Sequence, residues 1–573
     1  MTPAPTPTTD AVVIGSGHNG LIAANYLTDA GLRVRVVERR DVIGGATVTE
    51  EVFPGYFAST CSYVSGLLHP KILRDLRLHE HGLHLYQRDI SSSNILLDGR
   101  SLFMYNELGP TLNDIERVAP GESEKFVAFG LRLEKFARLT GQWLLTTQPP
   151  TLAEVIAGFY DAGEPELFTE FFGLSVDELV NRYFSSDIVK GLLTFLGVVS
   201  VWGGPLTPGW AYVYGHHAIG EYQGHMGQFA FPRGGMGSIA KALAARATAR
   251  GATITTNAAV ERINTKRGRV TGVDLATGET IDASIVVSNA DPITTYLKLL
   301  SSRDLPDEFV SRMRDYDVRG SMARVFLALD KLPQFVGRPP GVGPEHLGLT
   351  LLGAEVDSFT KAATAQAAGT YPDTFPIELI IQSAHDDTMA PTGKHILSTG
   401  IQQLPFELTG TTWDKAKPAF TATVIDNLEA YAPGIRDTIT DASTITPLDL
   451  EREYGLPGGN IFHGAMRLGQ LFDSRPVHGV NGYRAPIAGL YLCGAGTHPG
   501  GGVMGTPGHN AAHAVLADKT GTDPLHDAPR SKPKAPLVEK MLANQAVRKA
   551  SVRAARSPML TGVVDRLSRR DGS

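Results

Sequence analysis

The sequence predicts an α/β protein. One parallel-sheet domain is split over both ends of the chain, and an α+β domain is inserted between its pieces. Three observations carry this prediction. A strand–turn–helix–strand unit fills residues 11–38, a second glycine-rich strand-to-helix turn begins at Gly494, and the length of 573 residues exceeds one ordinary core.

The first unit opens with Ala11–Val12–Val13–Ile14, a short apolar run that reads as a buried strand. Gly15–Ser16–Gly17–His18–Asn19–Gly20 follows at once as a G-x-G-x-x-G turn, then a small-residue helix stopped by Gly31, then a strand from Arg33 to Val37 that ends at Glu38. Gly15 permits the tight turn, Gly17 lets backbone approach a pyrophosphate, and Gly20 lets helix and strand pack closely. The helix N-terminus offers unpaired N–H groups and a positive dipole end to phosphate. Glu38, 23 residues after Gly15, is placed to accept ribose hydroxyls. Together these features describe a Rossmann-type dinucleotide cradle.

Paired Gly44 and Gly45 allow the backbone to pass close to a bound cofactor. From about Cys61 to His225 the pattern is helical, as in Glu124 to Leu139. Gly191 to Gly220 holds no Asp, Glu, Lys or Arg, so it is either deeply buried or lines an apolar cavity. Phe231 to Gly237 opens a helix over Ser238–Arg250. A meander follows at Ala259–Asn264, Arg269–Leu275 and Ile285–Ser288. The segment before Gly234 is too short and proline-broken to support a second nucleotide fold. Strands at Ala323–Leu329, Ile377–Ile381 and His395–Ile401, with a helix near Lys415–Tyr431, make the inserted part α+β. Gly489–Cys493 is a strand running into Gly494–Gly502, and a helix covers Pro507–Ala517. The expected division is 10–60, 226–295 and 480–520 for the cofactor domain, 61–225 and 296–479 for the substrate domain, and 521–573 for a tail.

Composition is that of an ordinary globular protein, with net charge −6 and mean hydropathy −0.06. Nothing supports nucleic-acid binding. Residues 1–10 lack the basic and apolar regions of a secretion signal, and no apolar run is long enough to span a bilayer. A cytoplasmic protein is expected. The two cysteines, Cys61 and Cys493, form no C-x-x-C pair, which removes dithiol redox chemistry and a cysteine-based zinc site. The tail from Arg530 holds eleven Lys/Arg against three acids, +8 where the preceding residues carry −14. Leu537, Met541, Leu542, Val547 and Val552 offer an apolar stripe. The tail is therefore either a solvated, partly helical segment or a contact for an anionic membrane surface or a protein partner.

Two distant glycine-rich turns suit a flavin dinucleotide, whose pyrophosphate sits on the first turn while the last helix faces the ring. The set Gly15/Gly17/Gly20, Glu38, Gly44–Gly45, Phe231–Gly235, Val287–Pro292 and Gly494–Gly500 resembles the phytoene-desaturase-type FAD oxidoreductases. These belong to the glutathione-reductase-like flavoprotein class that includes amine oxidases. Gly17–Gly20, Asp41–Glu51 and Tyr454–Gly464 look most like its pyridine nucleotide-disulfide oxidoreductase domain-containing branch, near the carotenoid ketolases. The resemblance covers most of residues 10–517. It implies FAD as cofactor, held by Gly15, Gly17, Gly20, Glu38, Arg39, Gly44, Gly45, Val260, Gly494, Thr497 and Gly505. Two departures lower the expectation of amine oxidation: Ala46 stands where many members have Arg, and Ala495 where amine oxidases usually carry an acid.

His463 and His498 are the candidate catalytic, ring-side residues. His216, His217, Glu221 and His225 form a further cluster, read as loop surface or pocket lining, and no metal site is expected. The expected function is FAD-dependent removal of hydride from an apolar or partly apolar small molecule, with electrons passed to oxygen or a quinone. Carotenoid desaturation, ketolation or isomerisation is the alternative, and a flavin-holding regulatory protein the third reading.

Overall fold

The computed structural model describes residues 9–478, 480, 482–527 and 541–556. Five short strands form one parallel sheet in the order Thr253–Thr255, Val34–Val37, Ala11–Ile14, Ile285–Ser288, Leu490–Leu492. Its strands Ala11–Ile14 and Leu490–Leu492 are fully buried, as strands covered on both faces are. Val12 and Ile14 share a core with the antiparallel meander Val260–Lys266, Arg269–Leu275 and Thr280–Asp282. Ala11 and Val13 face the helices on the other side. There His18–Asp29 packs against both Gly237–Ala249 and Thr506–Thr520. Contact with the last helix is backbone to backbone: a Cβ on Gly508 would stand 2.2 Å from the Asn19 carbonyl oxygen.

Two expectations change. Ile285–Ser288 leaves the meander and enters the parallel sheet, because an apolar run buried on both faces suits the centre of that sheet. The third meander strand is Thr280–Asp282, which buries only Ile281. The second change lies within 61–225, read as helical. It also contributes the antiparallel strands Ile90–Ile95 and Ser101–Tyr105, turned near Asp98–Gly99 with Gly99 at φ +85°.

Those two strands end a seven-stranded sheet ordered Ile439–Ile445, Ser321–Leu329, His395–Leu404, Ile377–Ile380, Leu349–Leu352, Ile90–Ile95, Ser101–Tyr105. The helix Trp413–Tyr431 buries Trp413, Phe420, Val424 and Leu428 on one face of it. The other face turns toward a helical layer that includes Ser123–Gly141, Asp187–Val198 and Ala211–Ala218. Phe136 and Phe171 stack at its centre with ring centroids 4.2 Å apart. The charge-free stretch is therefore both core and cavity wall.

Within the tail, the helix Gln545–Ala555 docks on this same chain. It buries Val552 and Ala555 against Leu112 and Val127, and pairs Arg548 with Glu124 (3.5 Å) and Arg556 with Glu116 (3.7 Å). Met541 and Val547 stay exposed, and Leu537 lies outside the described residues. Among the described residues no helix is long and apolar enough to cross a membrane.

Candidate functional site

The strand Ala11–Ile14 delivers the chain to the glycine turn at the sheet's carboxyl edge. Gly15 takes φ +90°, which favours glycine, and a Cβ on Gly17 would lie 2.5 Å from the Asn289 Nδ2 atom, so a side chain there would have to displace it. Gly17 also caps the helix His18–Asp29 without any side-chain hydrogen bond, which leaves its N-terminal end open to an anion. Glu38 is buried at the end of the neighbouring strand. One oxygen of its carboxylate accepts from Ser16 N and Oγ, both at 2.8 Å, and the other accepts from Arg40 N at 3.0 Å. Acceptor capacity is left over for hydroxyls.

From this turn a cavity of about 760 Å³ runs into the space between the seven-stranded sheet and the helical layer, within the size range of ligand sites. Gly15, Gly17, Glu38, Arg39, Gly45, Val260 and His463 line it. Arg39 turns its guanidinium onto the carbonyls of Arg452 and Glu453, so it closes the helix Pro447–Tyr454 as well. The remaining candidates stand behind the wall. A Cβ on Gly20 would meet the Gly15 carbonyl oxygen at 2.3 Å, and one on Gly505 would meet the Ile22 Cδ1 atom at 2.7 Å. Gly44 bridges to Gly17 and donates to the Ser16 carbonyl at 3.1 Å. Gly494 packs under Asn289, and Thr497 donates its hydroxyl to the Gly494 carbonyl at 2.8 Å. The last glycine-rich segment reaches the cavity through Ala495, Gly502 and Val503 instead.

The two candidate histidines separate. His498 does not line the cavity: its Nε2 bonds to the Trp143 carbonyl at 2.8 Å, and its own carbonyl accepts from the Tyr483 hydroxyl. Its ring is thus turned away from the cavity, toward the segment that carries Trp143. His463 does face the cavity, in left-handed backbone (φ +58°). Its carbonyl accepts from the Tyr316 hydroxyl at 2.8 Å. Arg475, fully buried, holds the loop in place by donating to the carbonyls of Phe462, Gly464, Ala465, Gln470 and Ala495.

Burial holds His463 neutral, with its pKa lowered to about 4 and the Arg475 charge adding to the effect. His18, at the mouth of the first helix, is lowered to about 3 by burial and by His463. Both keep a buried ring nitrogen without a hydrogen-bond partner among the described residues, Nε2 on His18 and Nδ1 on His463. Of the 216–225 cluster, His216 bonds to the Gly501 carbonyl (2.9 Å) and His217 to the Val213 carbonyl (2.8 Å). No group of three or more His, Cys, Asp or Glu side chains able to hold a metal occurs among the described residues.

Sequence reasoning missed a polar cluster on the sheet side. Tyr63, Glu378 and Gln402 line the cavity, and Arg324 is buried directly behind them. The Arg324 guanidinium donates to the carbonyls of Cys61 (2.6 Å) and Thr399 and lies 4.4 Å from the Tyr63 ring centre. Burial pushes the Glu378 carboxyl up to about 7 against the opposing pull of Tyr63 and Arg324. These residues come from four distant segments, so no local spacing announced them. Burial likewise raises the Cys61 thiol to about 12.

A parallel sheet with a glycine turn at its edge, opening on a cavity roofed by an inserted domain, is the layout of a two-domain dinucleotide-binding protein. The model of the family of flavin containing amine oxidoreductases matches residues 20–376. A Rattus norvegicus protein named pyridine nucleotide-disulfide oxidoreductase domain-containing protein 2 is 38% identical over 550 residues, covering 89% of this chain and 94% of its own. A neurosporene-forming phytoene desaturase of Cereibacter sphaeroides is a more distant relative, 27% identical over 94% of this chain and 100% of its own. Among solved structures, cyclohexylamine oxidase from Brevibacterium oxydans shares the fold, with a TM-score of 0.56 at 17% identity, over 90% of this chain and 100% of that one. The chain belongs to the flavin-containing amine oxidoreductase family and is an FAD-dependent oxidoreductase.

The residues present fit that cofactor. The Gly17 approach is one a side chain would fill, the helix N-terminus is open beside it, and the partnerless nitrogens of His18 and His463 belong to residues that line the same cavity. FAD, when bound, supplies two-electron acceptance.

Proposed function

We propose that the enzyme oxidises a mostly apolar organic molecule, bound between the seven-stranded sheet and the helical layer, and passes the electrons to oxygen or a quinone. The carrying observation is the composition of the cavity beyond the glycine turn. Phe126, Phe129, Leu133, Leu192, Phe195 and Val199 line it there. Burying such a substrate releases about 25 cal/mol per Å² of apolar surface, enough to position it without ionic contacts. The more distant relative named for phytoene desaturation acts on an apolar substrate by that name, which supports the same reading. Cofactor contacts are assigned to Gly15, Gly17, Glu38, Gly45, Val260 and the backbone of 502–503, with His463 and His18 as neutral hydrogen-bonding groups beside them.

The test is anaerobic mixing of purified FAD-loaded enzyme with a panel of hydrocarbons, long-chain alcohols and small polar amines, followed by admission of oxygen or a water-soluble quinone. Bleaching of the oxidised flavin band by apolar members, reversed by one of the acceptors, is expected. Bleaching by small polar amines alone would overturn the substrate class.

A further inference from the structure

We propose that Glu378 and Gln402 form a subsite that receives a neutral hydroxyl group on the otherwise apolar substrate; this rests on reading the cavity as the substrate cavity. Glu378 stands on the strand Ile377–Ile380 opposite Gly400 of His395–Leu404. Its side chain is almost fully buried, and its Oε2 atom has no hydrogen-bond partner among the described residues. The space that atom occupies exists because residue 400 lacks a side chain: a Cβ there would lie 2.6 Å from Oε2. An acceptor set into a sheet in this way is built, since leaving it unpaired costs about 1–3 kcal/mol that packing alone would not select.

Gln402 lies two residues beyond Gly400, and alternation puts it on the same face of the sheet. Its Oε1 accepts from Ser200 N at 3.0 Å, while its Nε2 finds only the Met322 sulfur at 3.8 Å. One good acceptor and one poorly used donor thus line a cavity that also carries the apolar side chains of Phe126, Phe129, Leu133, Leu192, Phe195 and Val199. A hydroxyl answers both, donating to Glu378 and accepting from Gln402. Charge separates a hydroxyl from an ammonium group. Arg324 is buried beside Glu378 and already supplies a cation, while Glu378 is held toward its neutral form by burial. A second cation at this point would face Arg324 with no free negative charge to meet it.

The experiment titrates FAD-loaded enzyme with decane, decanol and decylamine, reading flavin absorbance and thermal midpoint. Decanol is expected to bind about tenfold more tightly than decane, the discrimination a buried hydrogen-bonding pair supplies. Glu378→Leu and Gln402→Leu should each bring decanol down to the affinity of decane while decane itself is unchanged. Gln402→Leu carries the test should Glu378→Leu fail to retain FAD, and Glu378→Gln, which keeps an uncharged acceptor of the same shape, should keep the decanol preference. Decane binding with no gain for decanol, or a preference that survives both leucine substitutions, would overturn the subsite alone. Tighter binding of decylamine would overturn the neutral head group. Failure of every probe to bind would overturn the subsite together with the substrate reading beneath it.

Discussion

At Gly17 local geometry and cofactor chemistry act on the same atom position. Alanine there keeps an allowed backbone, since φ is not positive, yet its methyl would sit 2.5 Å from Asn289 Nδ2. Asn289 can swing aside, so folding is expected to survive. The methyl would remain where pyrophosphate must approach. Gly17→Ala is therefore expected to cut flavin retention about tenfold or more while lowering the thermal midpoint of apo-protein little. The ratio of flavin to protein absorbance after purification checks it. Gly20→Ala makes the contrast: its Cβ meets the Gly15 carbonyl oxygen at 2.3 Å, a backbone clash that destabilises with or without flavin. The roles of these glycines were readable from spacing alone, because strand, turn and helix are adjacent in sequence. Histidine roles were not. His463 and His498 are alike in sequence context, and only the carbonyl of Trp143, 355 residues away, takes one of them out of the cavity.

At the level of elements, legibility followed the range of the interactions involved. The unit from Ala11 to Glu38 and the helices Gly237–Ala249 and Thr506–Thr520 were legible because their periodicity and glycine stops are local. Ile285–Ser288 was legible as a strand, but its partners at Ala11–Ile14 and Leu490–Leu492 were not, since an apolar run does not name its neighbour. The loop from Phe462 to Arg475 was least legible. It has little regular structure, and one guanidinium organises it by collecting five backbone carbonyls. Arg475→Met would fill the volume and leave those acceptors buried and unpaired. A loss of about 3 kcal/mol or more is expected. Urea unfolding measures the loss, and faster proteolysis near the loop locates it. Because this loop carries His463, the variant should also loosen flavin binding, whereas a variant at the exposed Arg467 should do neither.

Over the whole molecule, the buried histidines set how stability responds to acid. Burial lowers His18, His216 and His509 to about 3 and His69, His385 and His463 to about 4. Below about pH 6.5 the unfolded chain binds protons at these positions that the folded chain refuses. Stability therefore falls as pH drops through that value and keeps falling toward the folded pKa. Glu378 works the other way: raised to about 7, it is protonated in the fold while ionised in the unfolded chain, so it favours the fold as pH falls from neutrality toward the ordinary carboxylate range. Six groups outweigh one, and the urea midpoint is expected to be lower at about pH 5.5 than at about pH 7.5. His216 isolates the effect because it is fully buried and bonds to the Gly501 carbonyl through Nε2. His216→Gln keeps a donor near that carbonyl and removes the titration. Its stability difference between the two pH values should be smaller than that of the parent by about 1.4 kcal/mol, one unit of linkage below the reference pKa. An identical pH response in parent and variant would mean that His216 takes up its proton in the folded state, at odds with its burial.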